Sequence, residues 1–440
     1  MHQMKFRSVL SAALFALVLT LAPPAPCQAQ TQYALSESFD GGALDIEATT
    51  IDGDVIHLAP RATWTIHRYA NRFRWVNFRI SGVEGRTPEF RVTASGFLGS
   101  LRGHRFLYRE NPTDPDSEWR FFDRGDVDRD NDLYIFTNDR PFAADEVEVA
   151  WSVTYPVSRA SSLVEELGRT RFVTPTPSSD DRLIVGKSLG GTDEFGREIP
   201  QLPLYGFRLA DDEGPAEGAE RQTIVVISGV HSSETVGNHA LEGFLKFLVS
   251  DEPEAARLRS IAEFFVYPLV DPDGRYGGRF RNSHEVPTED MNRHWHQPET
   301  FTNLRKLRQA ILTDTGGRAD ILFDFHGISN QGNDFVFTLE AFAETPFMQA
   351  LEARTGIGPR PSDGHPGMAR IYFARDDRLG LREAYTPEFA PRSGRTSEEL
   401  QAIGRQYALA LLDALIEHQQ RPADEAEIEA DAAAETISSH

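Results

Sequence analysis

The 440-residue chain is 40% hydrophobic and 25% charged, with a formal net charge of −22. That length suits two domains better than one, since single cores stop growing near ~250–300 residues, and the composition argues against a disordered or polytopic membrane protein. The acidic balance repels nucleic acid and anionic lipid, and Cys27, the only cysteine, leaves no basis for a disulfide framework or a thiol nucleophile beyond the first thirty residues.

Lys5 and Arg7 precede an apolar run from Val9 to Leu21 that is shorter than a membrane span of ~20 residues, followed by Pro24, Pro26 and Ala29. This predicts a cleavable export signal over residues 1–29, a periplasmic or secreted mature protein and no stable membrane insertion after cleavage. A lipid attached at Cys27 and a retained anchor are the alternatives.

From Leu35 to Pro156 apolar and polar residues alternate over short runs. Val76, Phe78 and Ile80 share one face of a strand, and Val147, Val149, Trp151, Val153 and Tyr155 line another; with strands at Arg105 to Arg109 and Asp132 to Thr137, this predicts a β-sandwich over residues 30–158. The alternating aspartates 126, 128, 130 and 132 invite a calcium reading. An EF-hand loop there needs glycine at 131 and glutamate at 137, where Asn131 and Thr137 stand, so a solvated turn is expected.

After the Pro/Ser/Asp-rich stretch from Thr174 to Asp181, continuous apolar runs alternate with helical stripes. Ile224 to Ile227, Phe264 to Val270 and Ile321 to Phe325 read as buried strands of a largely parallel sheet. Between them Ala240, Leu241, Phe244 and Leu248 form one helical stripe, and Leu304, Leu307 and Ile311 another. A capping box of Thr396 and Glu399 opens a last helix bearing Leu400, Ile403, Tyr407, Leu411 and Leu415. The result is an α/β domain over residues 159–419, with a mostly parallel, mixed sheet flanked by helices. Residues 420–440 are acidic and free of aromatics, which predicts a disordered tail.

Ligands gather outside the carboxyl ends of strands in open α/β sheets, where His231 and Glu234 sit. In GVHSSET this pair is either a surface pair or two ligands of a metal, since zinc takes imidazole nitrogen and carboxylate oxygen. His326 closes the strand ILFDF, either as a satisfied buried histidine or as a third ligand. Asp324, two residues earlier, is placed to accept the proton of its outward-facing ring nitrogen.

GVHSSET, DPDG at Asp271 to Gly274, RFRNS around Arg281, DMNRHW at Asp290 to Trp295, DFHG at Asp324 to Gly327 and YTPEF at Tyr385 to Phe389 occur in the order used by the zinc metallocarboxypeptidases. With its β-rich leading segment, the chain resembles the branch typified by the cytosolic carboxypeptidases, which carry a β-sandwich before the catalytic domain. The resemblance implies one Zn²⁺ per chain on His231, Glu234 and His326, and a peptide substrate with a free C-terminal carboxylate. It implies Glu388 as general base, Arg281 as the cation that stabilises the oxyanion, Asn292 and Arg293 as receivers of the terminal carboxylate, and Tyr372 as the mobile tyrosine that closes over the substrate. Glu388 also reads as a surface carboxylate and Tyr372 as a core aromatic.

Arg375, three residues after Tyr372, either selects a C-terminal Asp or Glu or is a surface arginine. His239, His284, His294, His296 and His365 carry no role. Ser232-Ser233 and Asp271 depart from the cytosolic branch, which usually has Pro-Gly and asparagine there; this puts polyglutamate trimming in doubt but touches no ligand. The expectation is an exported zinc metallocarboxypeptidase. The alternatives are an amidase or deacylase on the same scaffold, acting on cell-wall peptides or N-acyl amino acids, and a non-catalytic binding protein.

Overall fold

The computed structural model describes residues 33–61, 75–93, 104–114, 117–211, 221–281, 283–328, 332–375, 378–391 and 395–420. The expected export signal and acidic tail lie outside the described residues. Among the described residues, no helix is long and apolar enough to cross a membrane.

Alternation over short runs gives what a pleated, half-buried surface requires: two five-stranded sheets share one core. In the first, Asn77–Ser81 pairs antiparallel with Glu146–Ala150, setting Val147 opposite Ile80 and Val149 opposite Phe78, and all four side chains are buried. The second contributes Phe90 and Phe136, stacked at 5.1 Å, and Phe136 in turn stacks on Phe106 at 4.2 Å. The aspartate-rich stretch forms the hairpin between Arg124–Asp128 and Leu133–Thr137. Asp128 Oδ1 accepts from the amides of Asp130 and Asn131 at 3.1 and 3.2 Å, so that carboxylate serves the turn.

The second core surrounds an eight-stranded mixed sheet. Ala262–Tyr267, Gln222–Ser228, Ile321–Gly327 and Glu383–Phe389 run parallel as neighbours at its centre, and antiparallel pairs flank them on either side. Central strands covered on both faces need apolar residues throughout. Every residue of Ile321–Gly327 is buried accordingly. Val173–Pro175, which overlaps the start of the Pro/Ser/Asp-rich stretch, is an edge strand of this sheet.

Helices Thr235–Leu248 and Ser397–Gln420 pack on the sheet and on each other. The expected capping box closes as a reciprocal pair: Thr396 Oγ1 accepts from Glu399 N at 3.2 Å, and Glu399 Oε2 accepts from Thr396 N at 3.1 Å.

The described residues fall in one compact unit, and polar contacts join the sandwich to the sheet. The expected division at residue 158 falls within the first turn of helix Val157–Leu167. The amides of Val157 and Ser158 are capped from the sandwich side by Asp40, at 3.0 and 2.8 Å. Arg275, buried on the short helix Pro272–Tyr276, donates to Tyr155 O and to Asn238 Oδ1, both at 2.7 Å.

Candidate metal centre

Strand Gln222–Ser228 ends where Gly229 takes φ +68°, a left-handed turn suited to glycine, and the chain then reaches Thr235–Leu248 through His231 and Glu234. Gly237 lies so close to the backbone of His326 that it has no room for a Cβ, and this lets the helix approach the neighbouring strand. The result is a cluster: one ligand atom from each of His231, Glu234 and His326 lies within 4.8 Å of the others.

Both imidazoles turn Nδ1 inward. His231 Nδ1 is 2.9 Å from Glu234 Oε1, and His326 Nδ1 is 2.6 Å from Glu234 Oε2. The outward nitrogens face carboxylates, His231 Nε2 to Asp290 Oδ1 and His326 Nε2 to Asp324 Oδ2, each at 2.9 Å. The hydrogen bond to Asp290 suits the His231 tautomer that leaves Nδ1 free to hold a cation, and Asp324 occupies the corresponding place behind His326. The donor set of two imidazole nitrogens and one carboxylate suits zinc and leaves a coordination position for water.

Charge in the cluster points the same way. Burial alone would raise the Glu234 carboxyl, but His231 and His326 outweigh it and hold it well below the usual range. Burial likewise opposes the charge on His326, but Asp324 and Glu234 push its pKa well above that of an ordinary histidine.

Glu388 stands on Glu383–Phe389 in register with His326 on the adjacent strand. Burial first, and the charge of Glu234 second, push its carboxyl up to about 8. Arg281 joins the cluster from the loop before Asp290, with Nε 2.7 Å from Asp290 Oδ2 and Nη1 3.6 Å from Glu234 Oε1. Asp290 and Glu234 outweigh the burial that would lower the guanidinium's pKa.

Asn292 is buried. Its Oδ1 accepts from Ala369 N at 3.1 Å, and its amide nitrogen lies 3.2 Å from His326 Nε2. Arg293 is half-buried and lies 3.7 Å from Asp290 Oδ2. The structure brings these residues together with the metal group. Tyr372 is buried on the short helix Ala369–Phe373 with the guanidinium groups of Arg308 and Arg378 at 5.5 and 5.2 Å from its ring. That setting is a packed core site. Arg375 is exposed just beyond the same helix.

Sequence reasoning assigned no role to Asp290, although it opens the quoted DMNRHW. Its two oxygens tie His231 to Arg281, and Arg281 and His231 hold its carboxyl well below the usual range against the effect of burial. Arg370 was also missed. It is buried on Ala369–Phe373, and burial lowers its guanidinium to about 10 although Asp324 and Glu388 favour its charge.

A β-sandwich joined to a mixed α/β sheet, with a His-Glu-His group at the carboxyl ends of parallel strands, defines a metallocarboxypeptidase fold. Residues 189–310 match the family model described as zinc carboxypeptidase, peptidase M14. The matched stretch contains His231, Glu234, Arg281, Asn292 and Arg293; His326 and Glu388 lie beyond it.

Among solved structures, the chain superposes on a metallo-carboxypeptidase from Burkholderia cenocepacia with a TM-score of 0.71 and 19% identity, over 88% of this chain and 99% of that one. A Pseudomonas aeruginosa metallo-carboxypeptidase follows at 0.66 and 20%, over 87% and 100%. Cytosolic carboxypeptidase 2 of Danio rerio is 26% identical over 72% of this chain and 46% of its own length. Human cytosolic carboxypeptidase 6 is 29% identical over 33% and 29%. The chain thus spans less than half the length of these curated relatives. Their names are cytosolic, which overturns the exported, periplasmic or secreted placement expected from residues 1–29.

Proposed function

We propose that this protein is a zinc-dependent metallocarboxypeptidase that hydrolyses C-terminal peptide bonds. The observation that carries the reading is the convergence of His231, Glu234 and His326 with Glu388 in register beside them and Arg281 held by Asp290. Zinc in such a shell lowers the pKa of its water to about 7 and polarises a carbonyl.

The chain's own residues supply the remainder. Glu388, buried and raised to about 8, accepts the proton of the attacking water and passes it to the leaving amine. Arg281 stabilises the oxyanion of the tetrahedral intermediate, and its bond to Asp290 fixes it before the charge develops. Arg293 receives the substrate carboxylate, and Asn292 supports it from its place between His326 and Ala369. Asp324 and Asp290 orient the two histidines.

Digestion of a peptide library read by mass spectrometry tests the activity. The expected products are ladders shortened from the C-terminus, with C-terminally amidated peptides left intact. Turnover confined to N-acyl amino acids or cell-wall peptides would move the assignment to an amidase on this scaffold. Arg375 as selector of an acidic terminal residue is tested in the same digest by comparing peptides ending in Glu, Lys and Phe, and equal rates would remove it.

Replacing Asp290 by alanine is expected to weaken zinc binding by about 10–100-fold, because His231 loses the carboxylate that orients it. Competition with a chromogenic chelator measures this. Unchanged affinity would show that His231 needs no such support.

A further inference from the structure

Ser232 lies between two metal-holding residues yet is absent from the metal group. Its side chain is 1% exposed. A hydroxyl buried to that degree without a partner costs about 1–3 kcal/mol, so its contact is a structural requirement. The contact is Asp271 Oδ2, at 2.9 Å. Asp271 comes from a segment 39 residues further along the chain.

Asp271 is 0% exposed, and its side chain bridges two elements. Oδ1 accepts from Gly274 N at 3.1 Å, which caps the helix Pro272–Tyr276, while Oδ2 accepts from Ser232. Its backbone amide donates to Gly229 O at 3.0 Å, at the residue where the strand turns towards His231. Gly274 lies against both groups, and a Cβ there would overlap the Asp271 carboxylate and the Ser232 hydroxyl. The capped helix and the missing Cβ together leave a slot that the Ser232 hydroxyl fills.

The segment from Gly229 to Glu234 belongs to neither the strand nor the helix, so no ladder of backbone hydrogen bonds fixes it. Among its tethers are the Ser232 to Asp271 bond on one side and, on the other, Ser233 N donating to Phe280 O at 3.0 Å, besides Asp271 N donating to Gly229 O and Gly327 N donating to Glu234 Oε2 at 3.1 Å. The second tether leads to the loop that carries Arg281. The first leads only to the capped helix.

We propose that Ser232 and Asp271 are a pair of positioning residues that hold the loop between His231 and Glu234 in its metal-binding geometry, and so set zinc affinity without touching the ion. This rests on reading His231, Glu234 and His326 as the zinc holders.

The chemistry of the pair predicts which substitutions matter. Ser232→Ala removes the donor and leaves Asp271 with a buried, unsatisfied oxygen. Asp271→Ala removes both acceptors. Asp271→Asn keeps both contacts, because its carbonyl can accept from Gly274 N while its amide donates to the Ser232 oxygen. A role of the pair through geometry therefore tolerates asparagine, whereas a role of the Asp271 charge does not.

The test is zinc affinity of the full chain, by competition with a chromogenic chelator, with thermal unfolding of the metal-free proteins alongside. Ser232→Ala and Asp271→Ala are expected to weaken zinc binding by about 10–100-fold, the range typical of outer partners of metal ligands. Asp271→Asn is expected to stay within about threefold of wild type, since both its hydrogen bonds survive. The double alanine variant should bind no more weakly than the weaker single, because both changes break one contact.

His231→Ala separates the two levels of the argument. If it abolishes zinc binding while Ser232→Ala binds as wild type does, the pair has no positioning role and the metal reading stands. If wild type binds zinc no better than His231→Ala, the metal reading fails and the proposal fails with it. Should Ser232→Ala not fold, Asp271→Ala against Asp271→Asn reads the same contact, and equal affinities in those two would overturn the proposal.

Discussion

Glu388→Gln is expected to lower kcat/KM for a C-terminal peptide bond by about 10²–10⁴-fold while leaving bound zinc in place, the range associated with loss of a general base. Glutamine has the shape of glutamate but cannot take up a proton, so the change removes the chemistry with little change in packing. Glu388 is not one of the three metal-holding residues, so metal content separates loss of the base from loss of the site. The position of its carboxyl also fixes the sign of the pH dependence. Burial and the neighbouring Glu234 charge push it up to about 8 in the absence of a cation, and a base acts only when deprotonated, so the rate rises with pH as the carboxyl loses its proton. A bound cation favours the carboxylate form, so the acid limb of the zinc-loaded enzyme should lie below 8 and disappear in Glu388→Gln. Steady-state rates across pH, with zinc content measured on the same samples, check this. A variant as active as wild type would remove Glu388 from the mechanism.

What the sequence made legible follows from how local each signal is. Ile321–Gly327 is buried at every position, and its apolar run announced a central strand. The capping box at Thr396 involves partners three residues apart, well within a sequence window. Glu383–Phe389 went unread because Pro387 interrupts it, and proline normally marks an edge or a break. It is nevertheless an interior strand, and Pro387 sits opposite Val336 of the antiparallel neighbour. Val173–Pro175 was hidden in a proline- and serine-rich stretch for the same reason. In the site, HxxE and DFH each had an ordinary alternative, and only the resemblance joined them. Asp290 lies 59 residues from His231, and no periodicity links positions that far apart. Ser232 and Asp271 were visible one at a time as departures, but their contact is a property of the fold.

Gly404→Ala and Gly243→Ala are each expected to destabilise the protein by about 3 kcal/mol, at the upper end of overpacking in a close-packed interior. The sign is what makes the result decisive. Both glycines lie inside long helices, Thr235–Leu248 and Ser397–Gln420, where replacement by alanine ordinarily stabilises a helix by about 1 kcal/mol. Here the two helices meet through the glycines themselves: a Cβ on Gly404 would overlap the carbonyl of Ala240, and one on Gly243 would overlap the backbone of Gln401. Backbone cannot rotate aside as a side chain does, so the helices must separate, and overlap outweighs propensity. Thr235–Leu248 begins directly after Glu234, so its displacement also pulls on the metal group, and zinc affinity should fall together with the urea midpoint. Gly358 is the control, since a Cβ there meets nothing closer than Glu352 Oε1 at 3.5 Å, and its alanine variant should change stability by less than about 0.5 kcal/mol. If Gly404→Ala proved as stable as the Gly358 control, the glycine contact would not determine how closely the helices pack, and the link from the last helix to the metal loop would be lost with it.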